Sequence, residues 1–465
     1  MAISEDKMLQ TIYDSLFAAF TSPPPNAQRQ GGSQADKTFL ILNWPGQQVD
    51  PAQYRNPWTP TNPEGTQEAA ENFSALVDDA PMLNPIWSPS GRKVSQIYAD
   101  VVNAKVVPPP ESAADKTAYD KAWSYLNVQK EIENDDPPPD KVTVTADSPV
   151  YTKYKRAYLA YDKAVTSLVN NYFFFDMSKP EDQRKWSLLG TQLQDAVATA
   201  YDDLQNAQAT KVQDALATIA QSSNNQVGRL FKDAAAQFSN MRKASVADPT
   251  ARYWPSFPFP ANWTSADAAA DWSEMTLTSN SLKTSENSDF ESITAGASGS
   301  YGLWSGGGEF EKQDGHQSMS KETSNLKAKF KYARVTIVRP WLNFLLFGVD
   351  GWSTQTYPQP GRLSNGTKNQ PNAPFPLLPT SFVAVRDLEI SADWGKEDSD
   401  EITKKLSAKA NFGWGPFSIS GGYAKSSSSK KFASEFDGTT LSNPGLQIIG
   451  WVCSVVPNSP PKAAQ

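Results

Sequence analysis

One cysteine, Cys453, and one histidine, His316, are all that the 465 residues offer of the two most versatile reactive side chains. A lone cysteine forms no internal disulfide, so nothing in the chain requires an oxidising compartment. A lone histidine excludes a His-rich metal site and a His-x-x-x-His zinc motif. A Ser-His-Asp triad would have to pass through His316, which sits in the polar stretch EKQDGHQSMS, and no Gly-x-Ser-x-Gly elbow accompanies it. Cys453 lies in the apolar GWVCSVV, the setting of a buried inert thiol rather than half of a Cys-His pair.

Positive charge is also in deficit. The net charge is -7, and without a basic footprint nucleic acid is not an expected partner. The densest apolar cluster, Trp341 to Val349, is far shorter than the roughly 20 residues of a membrane-spanning helix. The first residues, MAISEDKMLQ, lack the basic and apolar regions of a signal peptide. The expectation is a chain made soluble in the cytoplasm, with release by lysis or a non-classical route left open. The Ser305 to Gly308 run lacks the Gly-Lys-Ser/Thr ending of a phosphate loop. The acidic EIENDDPPPD lacks the alternating oxygens and central glycine of a calcium loop. No catalytic residue, metal ligand or cofactor site is therefore assigned. A pair of carboxylates acting on a glycoside, or a sugar stacked on tryptophan, leaves no motif that would exclude it.

Aromatic residues are abundant: 14 Trp, 16 Tyr and 22 Phe. Each buries roughly 150–250 Å², enough for sizeable cores in a polar chain. Residues 1–110 mix short helical pieces with proline-rich turns, and the apolar TFLILNW, Thr38 to Trp44, reads as a buried strand. Residues 111–250 form the strongest helical signal. Tyr151, Tyr154, Tyr158, Tyr161, Val165 and Leu168 recur at spacings of three and four on one helix face. Ser148 before Pro149 suits that helix's start. A second stripe runs from Leu189 to Ile219, broken once by Gln208. Two such helices around a short turn form an antiparallel hairpin within a bundle. At its tip stand Tyr172, Phe173, Phe174 and Phe175, either a hydrophobic plug against another layer or an aromatic tip for a bilayer interface. Proline triplets at Pro23, Pro108 and Pro137 read as stiff spacers.

Residues 251–465 change to β-type sequence. ASGSYGLWSGGGEF, from Ala297, is echoed by AKANFGWGPFSISGGY, from Ala408. A shift of 111 residues places Leu277 on Leu388, Glu286 on Glu397, Tyr301 on Phe412 and Gly302 on Gly413; a shift of 110 places Trp341 on Trp451. The implied fold class is α+β: a mixed N-terminal segment, a long helical hairpin or bundle, and a duplicated antiparallel β-sandwich-like domain. Its two related units are 276–350 and 387–456. VTIVRPWLNFLLF and LQIIGWVCSVV are expected as their most apolar strands.

In LKAKFKYARV, Leu326, Ala328, Phe330 and Tyr332 alternate with Lys327, Lys329 and Lys331. The lysines either guard a sheet edge or form a cationic face for anionic lipid or an acidic partner. Two functions follow. The first is a non-enzymatic, membrane-active, pore-forming, toxin-like protein that stays soluble until it oligomerises, with the four tip aromatics and three lysines as contact candidates. The second is a structural or assembly protein that builds filaments or particles through β-domain contacts. Self-association is expected in both, and a membrane or surface receptor in the first.

Overall fold

The computed structural model describes residues 12–17, 37–59, 62–106, 113–134, 140–174, 180–222, 227–265, 272–278, 304–306, 322–370, 372–420 and 433–461. The proline triplets and His316 lie outside them.

In chain order the principal elements begin with β1 (Thr38–Gln48), α1 (Gln67–Leu76), α2 (Val94–Val102) and α3 (Ala113–Leu126). The β2 (Asn127–Asn134) and β3 (Asp140–Asp147) ribbon follows, then α4 (Pro149–Phe174), α5 (Pro180–Asn206), α6 (Ala209–Ser222) and α7 (Val227–Asn240). The remainder holds β4 (Phe257–Phe259), β5 (Ser273–Thr278), β6 (Trp304–Gly306), β7 (Ser324–Val338), β8 (Leu377–Asp393), α8 (Lys396–Ser407), β9 (Asn411–Trp414) and β10 (Phe417–Ser420). It ends with β11 (Glu435–Phe436), β12 (Thr440–Asn443) and β13 (Gln447–Val455). The chain is thus α+β with antiparallel sheets.

The α4 helix begins where its sequence says it should. Ser148 Oγ accepts from the Tyr151 amide at 3.2 Å and donates to the Tyr125 carbonyl at 2.8 Å, so one side chain caps α4 and ties it to α3. The tyrosine stripe faces inward: Tyr161 and Val165 pack with Val197 and Leu204 of α5, and the Tyr161 and Tyr201 rings lie 5.6 Å apart. The second stripe is not one helix. Gln208 takes φ 65°, a left-handed conformation that ends α5, and the chain restarts as α6. The α3 helix packs on α6 and α2 on α7, around a core containing Tyr98, Phe231, Phe238 and Trp341.

Among the described residues the main sheet has eight strands, ordered β1–β13–β8–β7–β5, with β4 on β7, β12 on β8 and β11 on β12. TFLILNW supplies β1, and its alternation serves two layers. Leu40 and Leu42 face one core while Phe39 and Ile41 face the other. One face is covered by α1 through Phe73 and Val77, with Trp263, Phe382 and Trp451 between. Against the other face lie Ile12, Tyr13 and Leu16 of the N-terminal helical turn, Ile402 of α8, and a three-stranded sheet, β6–β9–β10.

Three expectations require correction. The lysine-bearing strand is no edge: β7 is hydrogen-bonded to β5 on one side and β8 on the other. VTIVRPWLNFLLF is not one strand. Pro340 has no amide to donate, so β7 stops at Val338, the Leu342 amide closes a turn on the Arg339 carbonyl at 3.1 Å, and Phe344–Phe347 coils as a 3-10 turn. Trp341 and Trp451 are consequently not equivalent, the first lying in a turn beneath the helices and the second within β13.

Phe382→Ala should cost about 3–5 kcal/mol, because its buried ring meets Phe73, Trp263 and Trp451; a urea midpoint measures the loss. Gln208→Gly should raise that midpoint, gaining about 0.5–1 kcal/mol by relieving the left-handed backbone.

Candidate functional site

Antiparallel pairing brings four strand ends to one end of the main sheet. Thr278, which closes β5, lies opposite Lys327; Ser324, which opens β7, lies opposite Asp393 at the close of β8; Ser391 lies opposite Thr440, which opens β12. The connection between β5 and β7 and that between β8 and β12 therefore leave the sheet side by side. These connections carry the two echoed Gly/aromatic phrases. The echoes are partners in space: β6 from the first connection pairs antiparallel with β9 from the second, with Trp304 opposite Trp414 and Gly306 opposite Phe412.

The β9–β10 hairpin has a two-residue turn, Gly415-Pro416, with Gly415 at φ 56° as the first position of such a turn demands. That turn resets the alternation. Phe412 pairs with Ile419 and Trp414 with Phe417, so all four share one face. Counting alternation straight through the turn puts them on opposite faces, which is why the pattern looks imperfect in the sequence. The other face holds Asn411, Gly413 and Ser418.

Residues 412–419 of this hairpin are buried. Phe417 lies 5.0 Å from Phe330 of β7, centroid to centroid, and Trp304 lies 6.0 Å from both Phe412 and Trp394. The Ser418 amide donates to Gln447 Oε1 at 2.6 Å, and its carbonyl accepts from Asn443 Nδ2 at 2.9 Å.

The β6–β9 junction is sealed by Asp398, in the first turn of α8, which is 6% exposed. Its Oδ1 accepts from Trp304 Nε1 at 3.2 Å and its Oδ2 from Thr323 Oγ1 at 2.5 Å. Thr323 Oγ1 in turn accepts the Gly395 amide at 2.8 Å.

Six of the seven contact candidates from the sequence fall within the described residues. Lys327, Lys329 and Lys331 sit on β7, beside this strand end. Lys329 pairs with Glu274 at 3.1 Å and Lys331 with Asp387 at 2.9 Å, and Glu389 lies opposite Lys329, so their face is charge-balanced. Tyr172, Phe173 and Phe174 occupy the last turn of α4, and Phe175 lies outside the described residues. What sequence reading missed is the hairpin itself and Asp398. The two-residue Gly-Pro turn was the available signal for the hairpin; nothing local marks Asp398.

Elsewhere, Arg334 of β7 donates to Asp162 of α4 at 2.8 Å and to Ser381 Oγ at 2.9 Å, clamping helix to sheet. Burial raises the Asp162 carboxyl above its ordinary range, and Arg334 pulls it partly back. Burial also raises Asp78, against the hydrogen bonds from Ser95 and the charges of Arg339 and Lys93. Arg339 is itself buried and donates to the Val77 and Pro379 carbonyls, closing the end of α1. The Cys453 thiol is pushed up by burial. A cavity of about 360 Å³ opens between α4 and β5, lined by Ser167, Asn171, Ser273, Glu274, Met275, Thr276 and Tyr332. Among the described residues no cluster of His, Cys, Asp or Glu is arranged to hold a metal ion, and no helix is long and apolar enough to cross a membrane. No protein-family model, curated protein or solved structure matches the chain.

The Asp162 carboxyl should titrate above the usual value of about 3.9, and Arg334→Met should move it higher still; a carboxyl NMR titration reads both. Because the folded value is raised, the native state holds this proton to higher pH than the unfolded chain does. The group's contribution to stability is therefore greatest at low pH and falls as pH rises through the raised value. Lys331→Met should cost less than about 1 kcal/mol, since its ion pair is exposed to solvent.

Proposed function

We propose that this is a membrane-active, pore-forming-type protein whose β8–β12 connection opens into a membrane-crossing β-hairpin, with the β5–β7 connection acting beside it. The observation that carries this reading is the two-sided β9–β10 hairpin, with Phe412, Trp414, Phe417 and Ile419 on one face and small or polar residues on the other. A barrel wall needs that alternation, with apolar side chains toward lipid and polar ones toward water. Closure into a barrel satisfies every backbone group without a long apolar helix. A crossing strand needs about 9–11 residues, and residues 279–323 and 394–434 each hold enough chain for two. The hydrogen-bond ladders of β5–β7 and β8–β12 already point in the direction such hairpins would grow.

Energetics favour a chain that stays closed until it meets lipid. Releasing Trp304, Phe412, Trp414, Phe417 and Ile419 into water costs on the order of 10 kcal/mol, at about 1.5–3 kcal/mol for each buried side chain. Transfer into a bilayer offsets that cost, and oligomerisation supplies the remaining strand partners. In this reading the two echoed phrases are related copies serving adjacent hairpins, α4 and α5 form a helical hairpin with the aromatic run at its tip, and Lys327, at the strand end, meets anionic headgroups.

Purified protein mixed with dye-loaded phosphatidylcholine and phosphatidylserine vesicles should release dye and form ring-shaped particles in negative stain. Ser305→Cys combined with Gly413→Cys places two thiols at directly opposed positions of β6 and β9, about 4.5–5.5 Å apart at Cβ. Oxidised, this variant should not release dye; reduced, it should regain release. Ordered polymers formed without lipid, and no leakage, would overturn the reading in favour of an assembly protein.

A further inference from the structure

We infer that Asp398 is a latch that holds the two connections together, and that its release is the first step by which the β6–β9 junction opens. This inference rests on the pore reading for its purpose but not for its test, which is made without lipid.

Three separate parts of the chain converge on this carboxylate. Trp304 belongs to the first connection, Thr323 is where that connection rejoins the sheet ahead of β7, and Asp398 with Gly395 belongs to the second. The β6–β9 pairing alone is short, with three residues of β6 in register. A ladder of that length holds together only with help from outside it. The surrounding rings supply apolar contact: Trp394 lies against Trp304 and Phe436, and its indole N–H donates to the Thr439 carbonyl at 2.9 Å. Trp394 thereby fastens the beginning of the second connection to its end. Asp398 joins the second connection to the first by side-chain hydrogen bonds from Trp304 and Thr323.

A buried carboxylate suits a latch. While β6 is docked, Asp398 accepts from the Trp304 and Thr323 donors, and hydrogen bonds to a charged group are stronger than neutral ones. Losing either donor weakens the hydrogen bonding of a buried carboxylate, so partial opening is disfavoured. Once β6 leaves, water reaches the carboxylate and satisfies it fully. The cluster therefore has two stable arrangements, docked and hydrated. Position adds to this: in the first turn of α8, the carboxylate also sits at the positive end of the helix, which keeps α8 formed in the docked state.

Amide hydrogen exchange on the full chain in solution, without lipid, tests the latch. Asp398→Asn keeps the shape but gives up one acceptor; Thr323→Val keeps the volume but removes the hydroxyl that both donates to Asp398 and accepts from Gly395. In each, the amides of Ser305 and Gly413, the pair opposed across β6 and β9, should exchange about tenfold to a hundredfold faster than in the native protein. The β7–β8 amides between Val383 and Val385, and at Phe330, should keep their rates. Unchanged exchange at the junction in both variants would overturn the latch. Acceleration of equal size throughout β7 and β8 would also overturn it, since the cluster would then only add to global stability. Vesicle leakage on the same variants separates the two proposals. Faster junction exchange with earlier dye release supports both. Faster exchange with no release supports the latch and counts against the pore.

Discussion

The pairing of β7 with β8 is the interaction on which the molecule depends. They are the longest strands of the fold, 15 and 17 residues, and they run antiparallel through the centre of the main sheet. Both faces of the pair are used. Phe330, Tyr332, Val383 and Val385 look toward the three-stranded sheet and α8, while Ala333, Val335, Phe382 and Ala384 look toward α1 and Trp263. The register shifts where Asp387 adopts φ 52°, and there Arg386 turns to stack on Trp272 at 4.5 Å. Because a one-residue slip would exchange the two faces of a strand, the demands of two different cores fix this register.

The fixed register has a topological consequence. Antiparallel neighbours alternate direction, so every second connection must leave from the same end. The stretch between β7 and β8 turns at the far end, where Pro340 breaks the chain and Gln237 Nε2 donates to the Pro340 carbonyl at 3.0 Å, tying that turn to the helices. The other two connections emerge together at the near end, where β6 pairs with β9 and Asp398 joins Trp304 to Thr323. One part of the sheet is anchored beneath the helices, and the other is covered by β6–β9–β10, α8 and the N-terminal helical turn.

Much of this was legible locally. A tyrosine every third or fourth residue, with Ser148 ahead of it, is enough to place α4, because helix periodicity and capping are properties of adjacent residues. The alternation of lysine with Leu326, Ala328 and Phe330 places β7 as a strand with one dry face for the same reason. What local pattern does not contain is the neighbour. Nothing in Lys327, Lys329 and Lys331 tells an edge strand from a central one, and β1 pairs with residues about 400 positions later in β13, a contact with no periodic trace. The echo between Ala297 and Ala408 is visible in the sequence; that the strands within it, β6 and β9, lie against each other is not. Asp398 was invisible altogether, since its role arises from Trp304 and Thr323, each distant in sequence and brought near only by the register of β7 with β8.

The composition of the β9–β10 hairpin makes sense only if both of its faces matter. A hairpin that merely covered a core would need one apolar face and could carry long charged side chains on the other. Here the second face is Asn411, Gly413 and Ser418, and Ser418 is itself buried, bonded through its backbone to Gln447 and Asn443. The fit is tight: a Cβ at Gly46 would stand 2.7 Å from the Pro416 carbonyl oxygen, so β1 can pass the hairpin's turn only as glycine. Small polar residues are what such a face permits, for they fit a crowded interior and are content in water. Large side chains at Gly413 or Ser418 would not fit there. The observed choice suits a face packed in a crowded interior: Ser418 is buried and bonded to Gln447 and Asn443, and the Gly415-Pro416 turn lies against Gly46 of β1.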